Sequence, residues 1–395
     1  MITKKEFKII IKTSFGLEEV LMEELNQLGI SNVELGNRAV TFTGNLSDVY
    51  KTNLWLRTAN RIIVPLQSFT ISSDADLYDK IKKINWETYF SVTQTFLIDS
   101  TVFSPLFNHT KYAAFKAKDA VVDQFREIYN IRPNVDTENP DIRLNLHIDN
   151  ENLCTISLDS SGDNLFKRGY RDSRSIAPMK EDLAAGLILL SDWDKHSTFI
   201  DLFCGSGTIL IEAAMIAKNI APNLKRERFG FMNWKNYDAN LFNTLKKEAL
   251  EVQKPLENKI IGVDISGRTL GMARANISSA GLSNVIELHK KDFKEFNAPK
   301  EKGVIISNPP YGERMGENVD ELYKDFGDTL KQKYAGYSAW FISSNMEALK
   351  KVCLKPSRKI KVFNGNLECR LMNYQLYDGS KNPTPTLSKG GSFPS

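Results

Sequence analysis

The sequence predicts a two-part α/β chain, with an α+β first third followed by a doubly wound, mostly parallel sheet. Three observations carry this. Residues 1–160 mix strand and helix patterns and end in an alternating hairpin. From Lys180 onward, strands and helices alternate with the lengths of βα units. One strand of this second part runs straight into a glycine-rich turn that opens a helix. A chain of 395 residues is also too long for one ordinary core, so two or three domains are expected.

In the first third, Lys8–Thr13 reads as an apolar-rich strand. Leu17, Val20, Leu21, Leu25 and Leu28 mark one helix face, stopped by Gly29. Ala39–Thr43 alternates as a strand, Asp48–Ala59 reads as a helix and Arg61–Ser68 as a strand. Tyr112–Tyr129 is helical, with Tyr112, Phe115, Phe125 and Tyr129 read as core. Asp141–Asp149 and Leu153–Ser160 form a hairpin around Asn150–Glu151. The segment from Ser160 to Ala177 is polar, basic and rich in turn residues, and is read as the boundary.

Beyond it come helix Lys180–Leu190, strand Thr198–Phe203, helix Thr208–Ala217, strand Ile260–Asp264 and helix Arg268–Ala280. Strands Val285–His289 and Gly303–Ser307, helix Glu321–Tyr334 and strand Ser338–Ser343 follow. Lys359–Phe363 and Leu367–Tyr377 close the fold as a hairpin across Asn364–Asn366. The tail from Gly379 is rich in Gly, Pro, Ser, Thr and Lys and is expected to be disordered.

Composition excludes several classes. No apolar run approaches the roughly 18–20 residues a membrane span needs, and the N-terminus carries no signal-peptide pattern. The four cysteines lack CxxC spacing, which argues against zinc and disulfides and suits a reducing cytoplasm. A formal net charge of +4 and a pI near 8.6 do not by themselves identify a nucleic-acid binder. None of His109, His147, His196 or His289 falls inside a motif.

The chemistry gathers at three strand ends. Thr198–Phe203 leads into Cys204-Gly205-Ser206-Gly207-Thr208, where glycines let the backbone approach a ligand beside a helix N-terminus. No Lys-Ser/Thr follows, so this is not a phosphate-gripping P-loop. Asp264 ends the next strand, where an acid can hold both ribose hydroxyls of a nucleoside cofactor. It lies 57 positions after Gly207 rather than the usual ~20, so residues 220–258 must form an excursion. Finally, Val304–Ser307 runs into Asn308-Pro309-Pro310-Tyr311. The prolines remove two backbone donors, leaving carbonyls and the Asn308 amide oxygen as acceptors beside the Tyr311 ring. That set suits a flipped-out base whose exocyclic amine donates two hydrogen bonds.

The ordered set of Gly-x-Gly turn, strand-two acid, Asp292 and Asn-Pro-Pro-Tyr resembles the amino-methyltransferases. The resemblance implies a Rossmann-like class I fold that binds S-adenosylmethionine. Asp201, Cys204, Gly205, Ser206 and Gly207 would shape the methionine pocket, Asp264 would hold the ribose, and Asp292 with Phe293 the adenine. Asn308, Pro309, Pro310 and Tyr311 would hold the target base, with Asn308 also bordering the cofactor.

Phe166-Lys167-Arg168-Gly169-Tyr170-Arg171, Ala177-Pro178-Met179-Lys180-Glu181 and Asp201-Leu202-Phe203-Cys204-Gly205-Ser206-Gly207-Thr208 are similar to the bacterial 23S rRNA guanine-N2 methyltransferase family. So are Arg132-Pro133-Asn134-Val135-Asp136 and Pro140-Asp141-Ile142-Arg143, so that the likeness runs from about Phe7 to Tyr377. It implies a ferredoxin-like and THUMP RNA-binding region over 1–160 (THUMP about 45–158), a basic linker over 161–179 and a methyltransferase domain over 180–378. The tail would occupy 379–395. Phe203 and Cys204 depart from the usual loop composition. Some members continue into a second methyltransferase domain, and its activity is not expected here.

The implied substrate is large-subunit ribosomal RNA, with no metal and no membrane partner. Lys167, Arg168, Arg171, Arg174 and Arg314 are candidate phosphate contacts, and a solvated basic linker is the plain alternative. Two rival readings are a DNA adenine-N6 methyltransferase, since Asn-Pro-Pro-Tyr serves adenine equally well, and a non-catalytic RNA-binding assembly protein. Removing residues 1–160 is expected to spare cofactor binding.

Overall fold

The computed structural model describes residues 6–171, 179–310 and 319–377. Arg174, Tyr311, Arg314 and the expected tail lie outside the described residues. The first part comprises β1 (Phe7–Thr13), α1 (Glu18–Gln27), β2 (Glu34–Gly36), β3 (Ala39–Gly44), α2 (Leu46–Trp55) and β4 (Ala59–Thr70). It continues with α3 (Asp74–Lys82), β5 (Phe96–Val102), α4 (Thr110–Tyr129), β6 (Ile142–Ile148) and β7 (Leu153–Asp159).

These seven strands form one sheet in the order β2-β3-β1-β4-β7-β6-β5. Strand β4 joins its two halves. Its first residues pair with β1 (Ile63 opposite Ile10), and the remainder with β7 as far as Thr70 opposite Leu153. The register with β7 shifts between Pro65 and Gln67, where a proline can sit without a ladder N–H. Helix α2 is launched by a capping box, with Asn45 Oδ1 accepting from Ser47 N at 2.8 Å and Asp48 Oδ2 accepting from Asn45 N at 2.8 Å. On α4, Phe125 is buried as expected. Tyr112, Phe115 and Tyr129 are exposed, because they face away from the sheet that α4 covers.

The second part comprises α5 (Glu181–Leu190), β8 (Thr198–Asp201), α6 (Thr208–Ala217), α7 (Ala239–Glu251), β9 (Ile260–Asp264), α8 (Gly267–Ala280) and β10 (Ile286–Lys290). Then follow β11 (Gly303–Ser307), α9 (Val319–Lys333), β12 (Ser338–Ser343), α10 (Met346–Lys351), β13 (Arg358–Asn364) and β14 (Leu367–Gln375). The sheet order is β10-β9-β8-β11-β12-β14-β13. All neighbours are parallel except the hairpin β13–β14 and the β12–β14 pair. The chain winds outward from β8 through β9 to β10, then returns to lay β11 against the other side of β8. The resulting crevice at the carboxyl ends of β8 and β11 is where open α/β sheets bind ligands.

The aromatic part of the excursion before β9 packs away from its own sheet. Phe229, Phe231, Trp234 and Phe242 are buried in the core of the first part. The Phe231 ring lies 4.4 Å from that of Tyr50 on α2, and Phe231 N donates to Ser160 O at 2.9 Å. Asp238 N donates to the Tyr50 hydroxyl at 2.9 Å, and Asn223 Nδ2 donates to Asn53 O at 2.9 Å. The two parts therefore share a core, and the first cannot be removed without exposing four aromatic side chains of the second.

Among the described residues around the expected basic linker, several side chains are packed rather than solvated. Ser160, Ser161, Leu165, Arg168 and Tyr170 are all buried. Arg168 donates to Leu165 O and to Arg57 O, both at 2.5 Å, and its Nε lies 3.7 Å from Glu212 Oε1 on α6. The Tyr170 hydroxyl donates to the same Glu212 oxygen at 3.0 Å. Carbonyls and a carboxylate thus meet the donors of a guanidinium that is only 3% exposed, so Arg168 is no phosphate contact.

Candidate active site

The glycine turn is stitched to both neighbouring strands and to α8. Leu202 N donates to the Ser307 hydroxyl at the end of β11 (2.9 Å), and Cys204 N to Val263 O on β9 (3.0 Å). Gly205 N donates to Asp264 Oδ2 at 2.9 Å. Gly207 N returns to Cys204 O at 2.8 Å, and Asn276 Nδ2 on α8 donates to Ser206 O at 3.0 Å. Gly205 and Gly207 stand at φ +51° and +83°, the left-handed region that glycine enters without a Cβ clash. Gly262 on β9 is needed for space. A Cβ there would lie 2.3 Å from Leu210 Cδ1 on the helix that the turn opens.

Asp264 is fixed from its own side as well. Its Oδ1 accepts from Ser266 N at 2.8 Å and from Thr269 Oγ1 at 3.0 Å. Each oxygen of an ionised carboxylate has two lone pairs, so the group retains acceptor capacity at the strand tip. Asp201, at the end of β8, is 1% exposed. Burial pushes its carboxyl up to about 7, and the Asp264 charge adds to the rise. Bonding to Phe203 N–H (3.1 Å) and to the Ser307 hydroxyl opposes it. The Cys204 thiol is buried against β9, which raises its pKa well above the usual thiol range.

Lys290 on β10 pairs with Asp264, so Asp292 lies just past the carboxyl end of the third strand. Its Oδ1 accepts from Lys294 N at 2.9 Å. The Phe293 ring is buried, 5.0 Å from Phe203 and 5.7 Å from Phe326, and forms a wall of the crevice rather than an open plate. Asn308 leaves β11 directly after Ser307. Its Oδ1 is buried and finds no hydrogen-bond partner among the described residues. An orphaned buried acceptor costs about 1–3 kcal/mol, so this position calls for a donor.

Every described residue of the expected site thus falls at the carboxyl edge of β8, β9, β10 or β11. The expected RNA contacts do not gather in the same way. Lys167 is exposed, beside Asp163 at 3.5 Å. Arg171 is a clamp, donating to Met179 O at 2.8 Å and to Thr208 Oγ1 at 3.0 Å, with Nε 3.4 Å from Glu181. Through Nη2 it fixes the start of α6. Sequence reasoning missed Asn276 and Ser307, which hold the turn. A polar side chain among Leu270, Ala273 and Ile277, and a serine closing an all-apolar strand, were the available signals.

The family model described as "RMKL-like, methyltransferase domain" matches residues 168–373. The chain belongs to this methyltransferase family. Models of the RlmL ferredoxin-like domain and the THUMP domain match residues 8–63 and 72–159. "Ribosomal RNA large subunit methyltransferase K/L" of Syntrophotalea carbinolica is 36% identical, covering 95% of this chain and 55% of that protein. The chain therefore spans about half the length of such K/L relatives. "Putative RNA methyltransferase slr0064" of Synechocystis sp. is 38% identical, over 92% of this chain and 95% of that protein. Among solved structures, SMU.472, "complexed with SAH", superposes with a TM-score of 0.86 at 31% identity, covering 95% of this chain and all of that one. The β10-β9-β8-β11-β12-β14-β13 order and the crevice at its reversal are thus those of an RMKL-like methyltransferase domain carried behind ferredoxin-like and THUMP domains.

Proposed function

We propose that this chain methylates the exocyclic N2 amine of a guanine in 23S rRNA, in the cytoplasm, using S-adenosylmethionine. The observation that carries the reading is Asn308 Oδ1, a buried acceptor without a donor at the ligand-binding edge of a methyltransferase domain. The THUMP match, the K/L and slr0064 names and the SAH-bound neighbour support RNA as substrate and the cofactor's identity.

The residues present fit the cofactor: the positive-φ turn at 205–207 admits a close backbone approach, Asp201 and Cys204 line its base, and Asp264 and Asp292 offer carboxylates at successive strand tips. When bound, S-adenosylmethionine supplies an electrophilic methyl group. The protein's own task is to present the amine. Its lone pair is delocalised into the ring, and accepting one N–H at Asn308 Oδ1 and the other at the Pro309 carbonyl favours a pyramidal, electron-rich nitrogen. Pro309 and Pro310 lack N–H groups, so no backbone donor of the proline pair competes for these acceptors. The surplus proton leaves the product nitrogen afterwards, and no base is required before transfer. Most of the catalysis is then positioning.

Replacing Asn308 by Ala tests this. Single-turnover methylation of 23S rRNA should fall on the order of 10²–10³-fold, while calorimetry shows S-adenosylmethionine affinity nearly unchanged. Normal turnover would reduce the Asn-Pro-Pro loop to a structural turn.

A further inference from the structure

At the junction of the two parts lies a polar cavity of about 170 Å³, walled by Arg38, Asn60, Phe166, Lys180, Asp182 and Phe363. It opens at the same edge as Asn308. Ser343, at the carboxyl end of β12, pairs with Arg370 on the antiparallel β14, so Phe363, which pairs with Glu368 next to the β13–β14 turn, lies beyond that end. On the other wall, α5 begins at Glu181, which Arg171 ties to Thr208 at the start of α6. Phe15 of the first part packs edge-on against Phe363 at 5.4 Å, so both parts of the protein contribute to the cavity.

The lining is unusual for a structural void. Arg38 is exposed and held at φ +55°, with its backbone N donating to Glu18 Oε1 at 3.0 Å. Lys180 is exposed and stands 4.8 Å from the Phe166 ring centre. Between these cations sits Asp182, fully buried on α5. Its Oδ2 accepts from Ser14 Oγ at 3.2 Å, while its Oδ1 has no partner among the described residues. Two cations at the rim, aromatic walls and a buried acceptor lacking a donor describe a ligand with an anionic group and a donor edge. A free cation would be repelled by Arg38 and Lys180, and a simple anion by Asp182.

We infer that this cavity takes one nucleotide of the single-stranded RNA next to the target base, with Arg38 and Lys180 on its phosphates and Asp182 on an N–H of its base. The inference rests on the proposed RNA substrate. It places one flanking nucleotide between the ferredoxin-like domain and the catalytic sheet, so that both parts grip the same strand.

The test uses the full chain and in vitro transcribed 23S rRNA, and reads binding rather than methylation. For Arg38→Gln/Lys180→Gln, filter binding should show at least 10-fold weaker affinity at 0.1 M salt. The slope of log affinity against log salt should be shallower by about 0.7 for each phosphate no longer neutralised. Replacing Phe363 with photoreactive p-benzoylphenylalanine should crosslink the protein to RNA within a few nucleotides of the methylated base. Unchanged affinity and slope in the double variant, or crosslinks confined to distant RNA, would overturn the inference. The affinity and salt slope do not depend on which base is methylated, and crosslinks are measured from whichever base carries the methyl group, so a wrong target assignment is recognised separately by nucleoside analysis.

Discussion

Gly205 N donates to Asp264 Oδ2 at 2.9 Å, tying the glycine turn after β8 to the acid at the tip of β9. The carboxylate proposed to receive a ribose therefore also fixes the glycine turn after β8. Helix α6 and the excursion over residues 220–258 separate the two in sequence, yet the parallel pairing of β8 with β9 brings them together.

This dual role sets the first prediction. Asp264→Ala should weaken S-adenosylmethionine binding by roughly 1–3 kcal/mol, from lost hydrogen bonds and a looser turn. Isothermal calorimetry on a variant with normal circular dichroism checks it. Unchanged affinity would remove Asp264 from the cofactor site.

Removal of residues 1–160 is now expected to destroy the remainder rather than spare it. Phe229, Phe231, Trp234 and Phe242 would lose the core in which they are buried, at about 1.5–3 kcal/mol of lost burial for each large apolar side chain. The truncated chain should aggregate or bind the dye ANS, and should not titrate with S-adenosylmethionine. A folded truncate that binds the cofactor normally would contradict the shared core.

Arg168 is predicted to matter for folding and Lys167 for RNA. Arg168→Met leaves the buried Glu212 with only Arg57 as a cationic neighbour and removes a buried ion pair, a loss of up to about 3–5 kcal/mol that thermal denaturation would register. Lys167→Met should leave the melting temperature within experimental scatter, because that side chain is largely solvated. Equal melting temperatures for wild type and Arg168→Met would contradict the buried role.

Asp201 supplies a pH prediction. Its folded-state pKa, about 7, lies above the usual carboxylate value, so the folded chain holds a proton that the unfolded chain releases. The stability this contributes is complete below about pH 4 and is lost as pH rises through 7. Glu181, likewise raised to about 7 by burial, acts in the same direction. Asp201→Asn should therefore gain stability relative to wild type as pH goes from 5 to 8, measured by urea denaturation of the cofactor-free protein. A difference independent of pH would refute the buried, protonated carboxyl.

The α/β alternation and the strand-end motifs were legible because each rests on local patterns: a glycine turn, a strand-tip acid and a proline pair. What escaped was non-local. Strand β5 (Phe96–Val102) owes its place to parallel pairing with β6, more than 40 residues away, and short α3 and β2 carry little periodicity. The sequence Phe166–Arg171 looks like a solvated basic stretch, and only the tertiary fold shows that carbonyls and Glu212 receive the Arg168 side chain. Likewise, the excursion over residues 220–258 gives no local sign that Phe229, Phe231 and Trp234 belong to the first part's core.

The most direct measurement is mass-spectrometric nucleoside analysis of unmodified 23S rRNA after incubation with the wild-type chain and isotopically labelled S-adenosylmethionine. Label is predicted in N2-methylguanosine, and its appearance should slow on the order of 10²–10³-fold when Asn308→Ala is used. Label in N6-methyladenosine, or no label in the rRNA, would contradict guanine methylation on rRNA.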